Sequence, residues 1–175
     1  MTTRLLVEGR PGAGKTTAAR RLVEILRVRE VPLRGFTTEE IRDGGRRVGF
    51  AVNTVDGNRG VLAHADFSGP PRVGRYGVDL EAFERVALPA LRHPVTGEVV
   101  VIDELGKMEL ASAAFRDAVR RLLGSGCSFV ATVHVHRHPF TDTLKRQIEV
   151  ARLDAGNRDQ LPAELADRLA PVTRT

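Results

Sequence analysis

Cysteine is almost absent: Cys127 stands alone, so no intrachain disulfide can form and the fold must rest on its core. Its surroundings, CSFVATV, are where a small buried hydrophobe fits. Tryptophan is missing and Tyr76 is the only tyrosine, which leaves few rings on which the bases of a nucleic acid could stack. Lysine occurs only at Lys15, Lys107 and Lys145, so nearly all positive charge is arginine and each lysine stands out. No apolar run approaches the roughly 20 residues that span a bilayer. The apolar start is cut short by the glycines from Gly9 onward, unlike a signal peptide. A cytoplasmic chain without membrane contact is the resulting expectation.

What is present suits one compact unit. At 175 residues the chain can bury most of its apolar surface in one core, and a single domain over residues 1–175 is expected. Apolar residues at 42% and charged residues at 28% are ordinary for a folded domain and exclude a disordered one. The net charge of +5 favours anionic partners, nucleotides among them. Nucleic acid is disfavoured because no aromatic-interleaved basic stripe accompanies the charge. Nothing in the sequence specifies an assembly, so a monomer is the default.

Periodicity places the elements. RLLVE at 4–8 reads as a buried strand, and residues 15–29 repeat apolar side chains at helical spacing. Pro32 ends that helix, and the following runs GFTTEEI and RRVGFAVNTV, separated by Asp43-Gly44-Gly45 and Asp56-Gly57-Asn58, read as inserted antiparallel hairpins. Residues 67–78, rich in Gly, Pro and Arg, read as a loop, and Asp79 is placed to cap a helix through Phe83, Ala87 and Leu91. Residues 98–102 form an unbroken Val/Ile strand, followed by a helix over 112–123 and a buried strand over 127–133. A helix near 141–149, a short strand at 150–153 and a last helix near 162–169 complete an α/β fold, a mostly parallel sheet with helices on both faces.

Between the first strand and helix lies GRPGAGKT, residues 9–16, which satisfies the P-loop pattern. Glycines let backbone N–H groups face phosphate oxygens, and the helix N-terminus adds its positive end. Lys15 is a mobile charge able to reach the terminal phosphates, and Thr16 offers a hydroxyl to Mg²⁺. The pattern predicts phosphate binding and leaves the reaction open, since kinases, hydrolases and switches share it.

A second constellation, VVVIDELGKMEL at 99–110, puts Asp103 and Glu104 at the carboxyl end of the strongest strand, the edge where ligands bind in α/β sheets. Asp103 is placed to hold Mg²⁺, directly or through water, and Glu104 to orient and deprotonate an attacking water. Two carboxylates there favour hydrolysis over transfer; the plainer alternative is that Glu104 caps the next turn. Lys107 is a candidate for stabilising charge on the transferred phosphoryl group. The alternative for Lys107 and Glu109 is an exposed surface pair.

With GRPGAGKT and DELGKMEL go GFTTEEIR with a following RVGF, RVGRYGVD before a helix, and Asn157-Arg158-Asp159. In this order, over nearly the whole length, the chain resembles the THEP1-type nucleoside-triphosphatases. The resemblance implies a P-loop fold of the RecA-like branch and Mg²⁺-dependent hydrolysis of ATP, GTP and other triphosphates to the diphosphate and phosphate. It marks two nucleotide-binding stretches. One holds Gly9, Arg10, Pro11, Gly12, Ala13, Gly14, Lys15 and Thr16, with Thr17 beside them. The other holds Val99, Val100, Val101, Ile102, Asp103, Glu104, Leu105 and Gly106. The segment 134–143, HVHRHPFTDT, is not among the motifs that carry the resemblance, and its role is left open.

Weaker features remain open. His134, His136 and His138 alternate, so on an extended strand they would share a face as metal ligands, or sit beside a phosphate site. Arg158 would stack on a nucleotide base or pair with Asp159 at the surface. Arg42, Arg46, Arg47 and Arg59 flank the hairpins as candidates for a charge-neutralising arginine or as a solvated face. Two rival functions stand beside hydrolysis: a small-molecule or nucleotide kinase with RVGRYG as lid, and a triphosphate-dependent switch associated with nucleic acid.

Overall fold

A chain whose strands carry Val, Leu and Ile on both faces must cover both faces with helices. The computed structural model describes residues 1–171 and follows that rule. In chain order come β1 (Arg4–Gly9), α1 (Lys15–Val28), β2 (Leu33–Asp43), β3 (Arg46–Thr54) and β4 (Arg59–His64). Then follow β5 (Arg72–Val73), β6 (Tyr76–Val78), α2 (Leu80–Leu91) and β7 (Val99–Leu105). A single 3₁₀ turn (Glu109–Ala111) leads to α3 (Ala113–Gly124), β8 (Ser128–His134), α4 (Pro139–Gln147), β9 (Glu149–Arg152) and α5 (Leu161–Leu169).

All strands join one sheet in the order β5-β6-β4-β3-β2-β7-β8-β1-β9. The half from β2 to β9 is parallel and the half from β2 to β5 is antiparallel. Alternation along the central strands divides the core. Leu5, Val7, Val99, Val101 and Val130 face α1 and α5 through Ala18, Leu22, Leu26, Leu161 and Leu165. Leu6, Phe36, Val100, Ile102 and Phe129 face the other helices through Phe83, Phe115, Leu122 and Leu144. There Phe36, Phe83 and Phe115 contact one another with ring centroids 5.2 to 5.9 Å apart, an arrangement favoured by edge-to-face ring electrostatics.

The antiparallel hairpins follow α1 and share the one sheet: Leu33–Phe36 of β2 pairs in parallel with Val99–Ile102 of β7, and the same strand continues outward as the antiparallel partner of β3. Its burial falls along its length, from Gly35 and Phe36 in the core to Arg42 and Asp43 in solvent. Residues 67–78 are not all loop. Val73 pairs with Tyr76 across Gly74-Arg75, a two-residue hairpin with glycine first, and Tyr76 is buried. The Pro, Gly and Arg around it hid the short strands. At the end of α4, Ile148 is already extended and Glu149 begins β9. Among the described residues no helix is long and apolar enough to cross a membrane.

Candidate active site

The start of α1 lacks the side-chain cap that α2, α3 and α4 have. Gly12 (φ 79°) and Gly14 (φ 99°) take left-handed backbone, which side chains other than glycine adopt only with strain. Gly14 is the N-cap of α1, has no side chain to cap it, and no acidic residue occupies the first turn. By contrast, Asp79, Ser112 and His138 accept from Ala82 N, Phe115 N and Phe140 N at the starts of α2, α3 and α4. The first N–H groups of α1 are thus left for an external acceptor. Lys15 is only 7% exposed, and its Nζ donates to the carbonyls of Gly9 (2.9 Å) and Arg10 (3.3 Å).

The end of β7 carries the carboxylates. In a regular strand Asp103 and Glu104 would point to opposite faces. Here the register with β8 runs Ile102↔Ala131 and then Leu105↔Val133, so Asp103 and Glu104 together oppose Thr132. This bulge re-aims side chains at the strand end. Asp103 is fully buried and accepts from Thr132 Oγ1 (2.7 Å), Thr38 Oγ1 (3.2 Å) and Thr38 N (3.3 Å). Burial raises its pKa above the usual carboxylate value, opposed by the Thr132, Thr16 and Thr38 hydrogen bonds, with the Glu104 charge adding to the rise. Glu104 Oε1 lies 2.9 Å from His134 Nε2.

Glu109 is the residue whose place the sequence misassigns. It is 4% exposed, not a surface partner of Lys107, because the 3₁₀ turn folds it back under the strand end. Gly106 makes room for it. A Cβ there would lie 2.8 Å from Glu109 Oε2 and 3.0 Å from Glu104 Oε1. Burial first, and then the Glu104 charge, push the Glu109 pKa well above its ordinary value. A group with a raised folded-state pKa contributes stability that is complete below its unfolded pKa and is lost as pH rises through the folded one. Glu109→Gln, which cannot ionise, is therefore expected to melt higher than the parent at pH 8 and to lose that advantage at pH 4. Thermal unfolding at the two pH values measures it, each 1 kcal/mol appearing as about 2–4 °C in a chain of this size.

Cradle and strand end open into one cleft of about 760 Å³. Pro11, Gly12, Gly14, Lys15, Thr16 and Thr17 line it on one side, and Glu104, Leu105, Lys107 and Glu109 on the other. Arg20, Arg47, His134, His136 and His138 also reach it, and Phe50, Leu62 and Val73 close its far end. Val99, Val100, Val101 and Ile102 do not: they fill the apolar layers on the two faces of the sheet and carry the carboxylates rather than touch a ligand. Arg158 lies on another side of the cradle. Its Cδ is 3.9 Å from where a Cβ on Gly14 would be, and Asp159 pairs instead with Arg21 at 2.9 Å. Arg42 and Arg47 pair with Glu40, and Arg59 with Glu39.

The three histidines are not on one strand, because β8 ends at His134 and His138 caps α4, yet all three reach the cleft, with the His134 and His136 rings 6.2 Å apart. Among the described residues no group of His, Cys, Asp and Glu is arranged to hold a metal by itself. A hard cation completed by phosphate oxygens is a different matter. Thr16 comes near enough to Asp103 to oppose the rise in its pKa, which brings a hydroxyl and a buried carboxylate together beside the cradle. That oxygen donor set suits Mg²⁺, which binds through one or two protein oxygens together with phosphates and water.

The sequence matches the NTPase family over residues 4–166. It is 38% identical over 165 residues to the nucleoside-triphosphatase THEP1 of Thermotoga petrophila, covering 93% of this chain and 90% of that one. It is 44% identical over 146 residues to the human cancer-related nucleoside-triphosphatase, covering 77% of each. The solution structure of a human cancer-related nucleoside triphosphatase superposes with a TM-score of 0.85, covering 99% of this chain and 100% of that one at 37% identity.

Proposed function

The chain belongs to the THEP1-type nucleoside-triphosphatase family, and from that premise we propose that it hydrolyses ATP, GTP and other nucleoside triphosphates with Mg²⁺ and little regard for the base. The observation that carries this reading is the uncapped N-terminus of α1 facing, across one cleft, a strand end that bears a carboxylate available to activate water.

The amides from Gly12 to Thr16 and the Lys15 ammonium hold the phosphates. To do so Lys15 Nζ exchanges the carbonyls of Gly9 and Arg10 for phosphate oxygens. Thr16 and Asp103 are the residues that would hold Mg²⁺, which when bound offsets the negative charge on the terminal phosphates. The hydroxyls of Thr38 and Thr132 keep Asp103 in one orientation. Glu104 Oε2 takes the proton of the attacking water, and Lys15 stabilises charge as the bond to the diphosphate breaks. Arg158, exposed beside Gly14, is a flat cation on which any base can stack, since every base has a π-face.

Phosphate release from ATP, GTP, CTP and UTP tests the proposal. Rates within about tenfold of one another are expected, because stacking tolerates every base, and excess EDTA should abolish turnover. Undiminished release in EDTA would overturn the metal assignment, and a single accepted triphosphate would overturn the broad specificity. The cleft also continues past the phosphates to Phe50, Leu62 and Val73, room that a water molecule does not need. This favours, as a second reading, transfer to an acceptor lodged there. The same assay separates the two, since hydrolysis releases one phosphate per diphosphate with nothing added.

A further inference from the structure

Residues on alternate positions of a strand point the same way, and at the end of β8 those positions are the buried Thr132 and, at the cleft, His134. Because Asp103 and Glu104 share one place in the register of β7, the two β8 side chains meet both carboxylates. Thr132 Oγ1 donates to Asp103 at 2.7 Å, and His134 Nε2 lies 2.9 Å from Glu104 Oε1. His134 Nδ1 is buried and has no partner among the described residues, so a proton there would gain no hydrogen bond. The Nε2–H tautomer, with Glu104 as acceptor, is the arrangement that uses the available partner.

The backbone that carries His134 is itself held. Lys145 Nζ donates to the His134 carbonyl at 2.6 Å and pairs with Glu8 Oε2 at 2.8 Å, which ties α4 to the ends of β8 and β1. The buried carboxyl of Glu109 is also near Glu104 Oε1, since a Cβ on Gly106 would lie 2.8 Å from Glu109 Oε2 and 3.0 Å from that oxygen. Without a donor at Oε1, no side chain of β8 would hold the Glu104 carboxylate in place.

We propose that His134 is a positioning residue for hydrolysis: its Nε2–H holds Glu104 Oε1, leaving Oε2 directed at the water it deprotonates. The inference rests on Glu104 as the general base. It assigns a role to His134, one of the alternating histidines whose part the sequence leaves open.

The test uses the full chain with MgATP and compares His134→Ala, His134→Asn and His134→Gln. The Gln amide reaches as far as Nε2, whereas that of Asn stops near Nδ1. His134→Ala and His134→Asn are expected to lower kcat about 10- to 100-fold, the scale of a catalytic group misplaced by about 1 Å, with KM within about twofold because no phosphate contact is lost. His134→Gln should restore most of the rate. In a Glu104→Gln background His134→Ala should cost nothing further, since a group acting only through Glu104 has nothing left to position. A purely structural role would instead move KM and the melting temperature and would not separate Gln from Asn. If His134→Ala does not fold, the contrast between Gln and Asn decides.

Wild-type or raised kcat in both His134→Ala and His134→Asn, with Glu104→Gln inactive, overturns the positioning role alone. Wild-type turnover by Glu104→Gln overturns the assignment of the base, and the inference with it.

Discussion

Glu104→Gln is expected to lower kcat by about 10²- to 10⁴-fold, the usual contribution of a general base, while MgATP still binds at least as tightly as in the parent. The amide keeps the size of the side chain and an oxygen that can accept from His134 Nε2, now 2.9 Å from Glu104 Oε1. What it loses is the ability to take a proton. It also removes a negative charge beside the terminal phosphate and beside the buried Glu109, so neither affinity nor stability should suffer. Single-turnover phosphate release together with nucleotide titration distinguishes this from its alternatives. A fall in affinity without a fall in the chemical step would show that Glu104 merely shapes the cleft, as the turn-capping alternative requires.

What the sequence reveals of this site follows how local each signal is. GRPGAGKT is legible because strand, loop and helix are contiguous and the chemistry resides in backbone that glycine alone permits. The central strands are legible because unbroken Val/Ile runs leave no polar face. Asp103 and Glu104 are legible as a pair at a strand end, but not as side chains delivered to one site. That depends on a bulge in the pairing of β7 with β8, which no spacing within β7 encodes. Thr38 and Thr132 hold Asp103 from neighbouring strands. Their only trace in the sequence is a hydroxyl inside the apolar runs GFTTEEI and FVATV.

Glu109 reads as surface because a Lys-x-Glu pattern is usually solvated, and its burial comes from a turn that packs against the strand end. His134 reads as one of an alternating set, yet once β8 stops it meets Glu104 while His138 caps α4. The arginine excess, which suggested anionic partners, is largely committed within the protein. Arg168 holds Glu149 through two bonds, Arg34 holds Glu98 at 2.8 Å and Arg29 holds Asp167 at 2.7 Å. Arg20 and Arg59 share Glu39. Exposed pairs of this kind add little to stability, so their main consequence is to leave less free positive charge than the composition implies.

The same distinction between internal and external partners makes Lys15 the sharpest test of the cradle. Lys15→Met should lower turnover by about 10²- to 10³-fold, the range lost with one preorganised charge-stabilising donor, and should weaken MgATP binding. The melting temperature of the nucleotide-free protein should nevertheless not fall. Lys15 is 7% exposed and its ammonium rests on two carbonyls, with no carboxylate among its hydrogen bonds or ion pairs in the described residues. A buried charge so incompletely compensated costs stability, and Met keeps the apolar stem while removing the charge. Lys15→Arg should not restore activity: a Cβ on Gly9 would already lie 3.1 Å from Lys15 Cγ, and the planar guanidinium cannot replace a compact ammonium in so close a space. Opposite signs for binding and for stability are the result expected of a residue held ready for a ligand. Were Lys15→Met to lose stability and keep turnover, the two carbonyl bonds would be structural, and the phosphates would have to be held by the α1 amides without it.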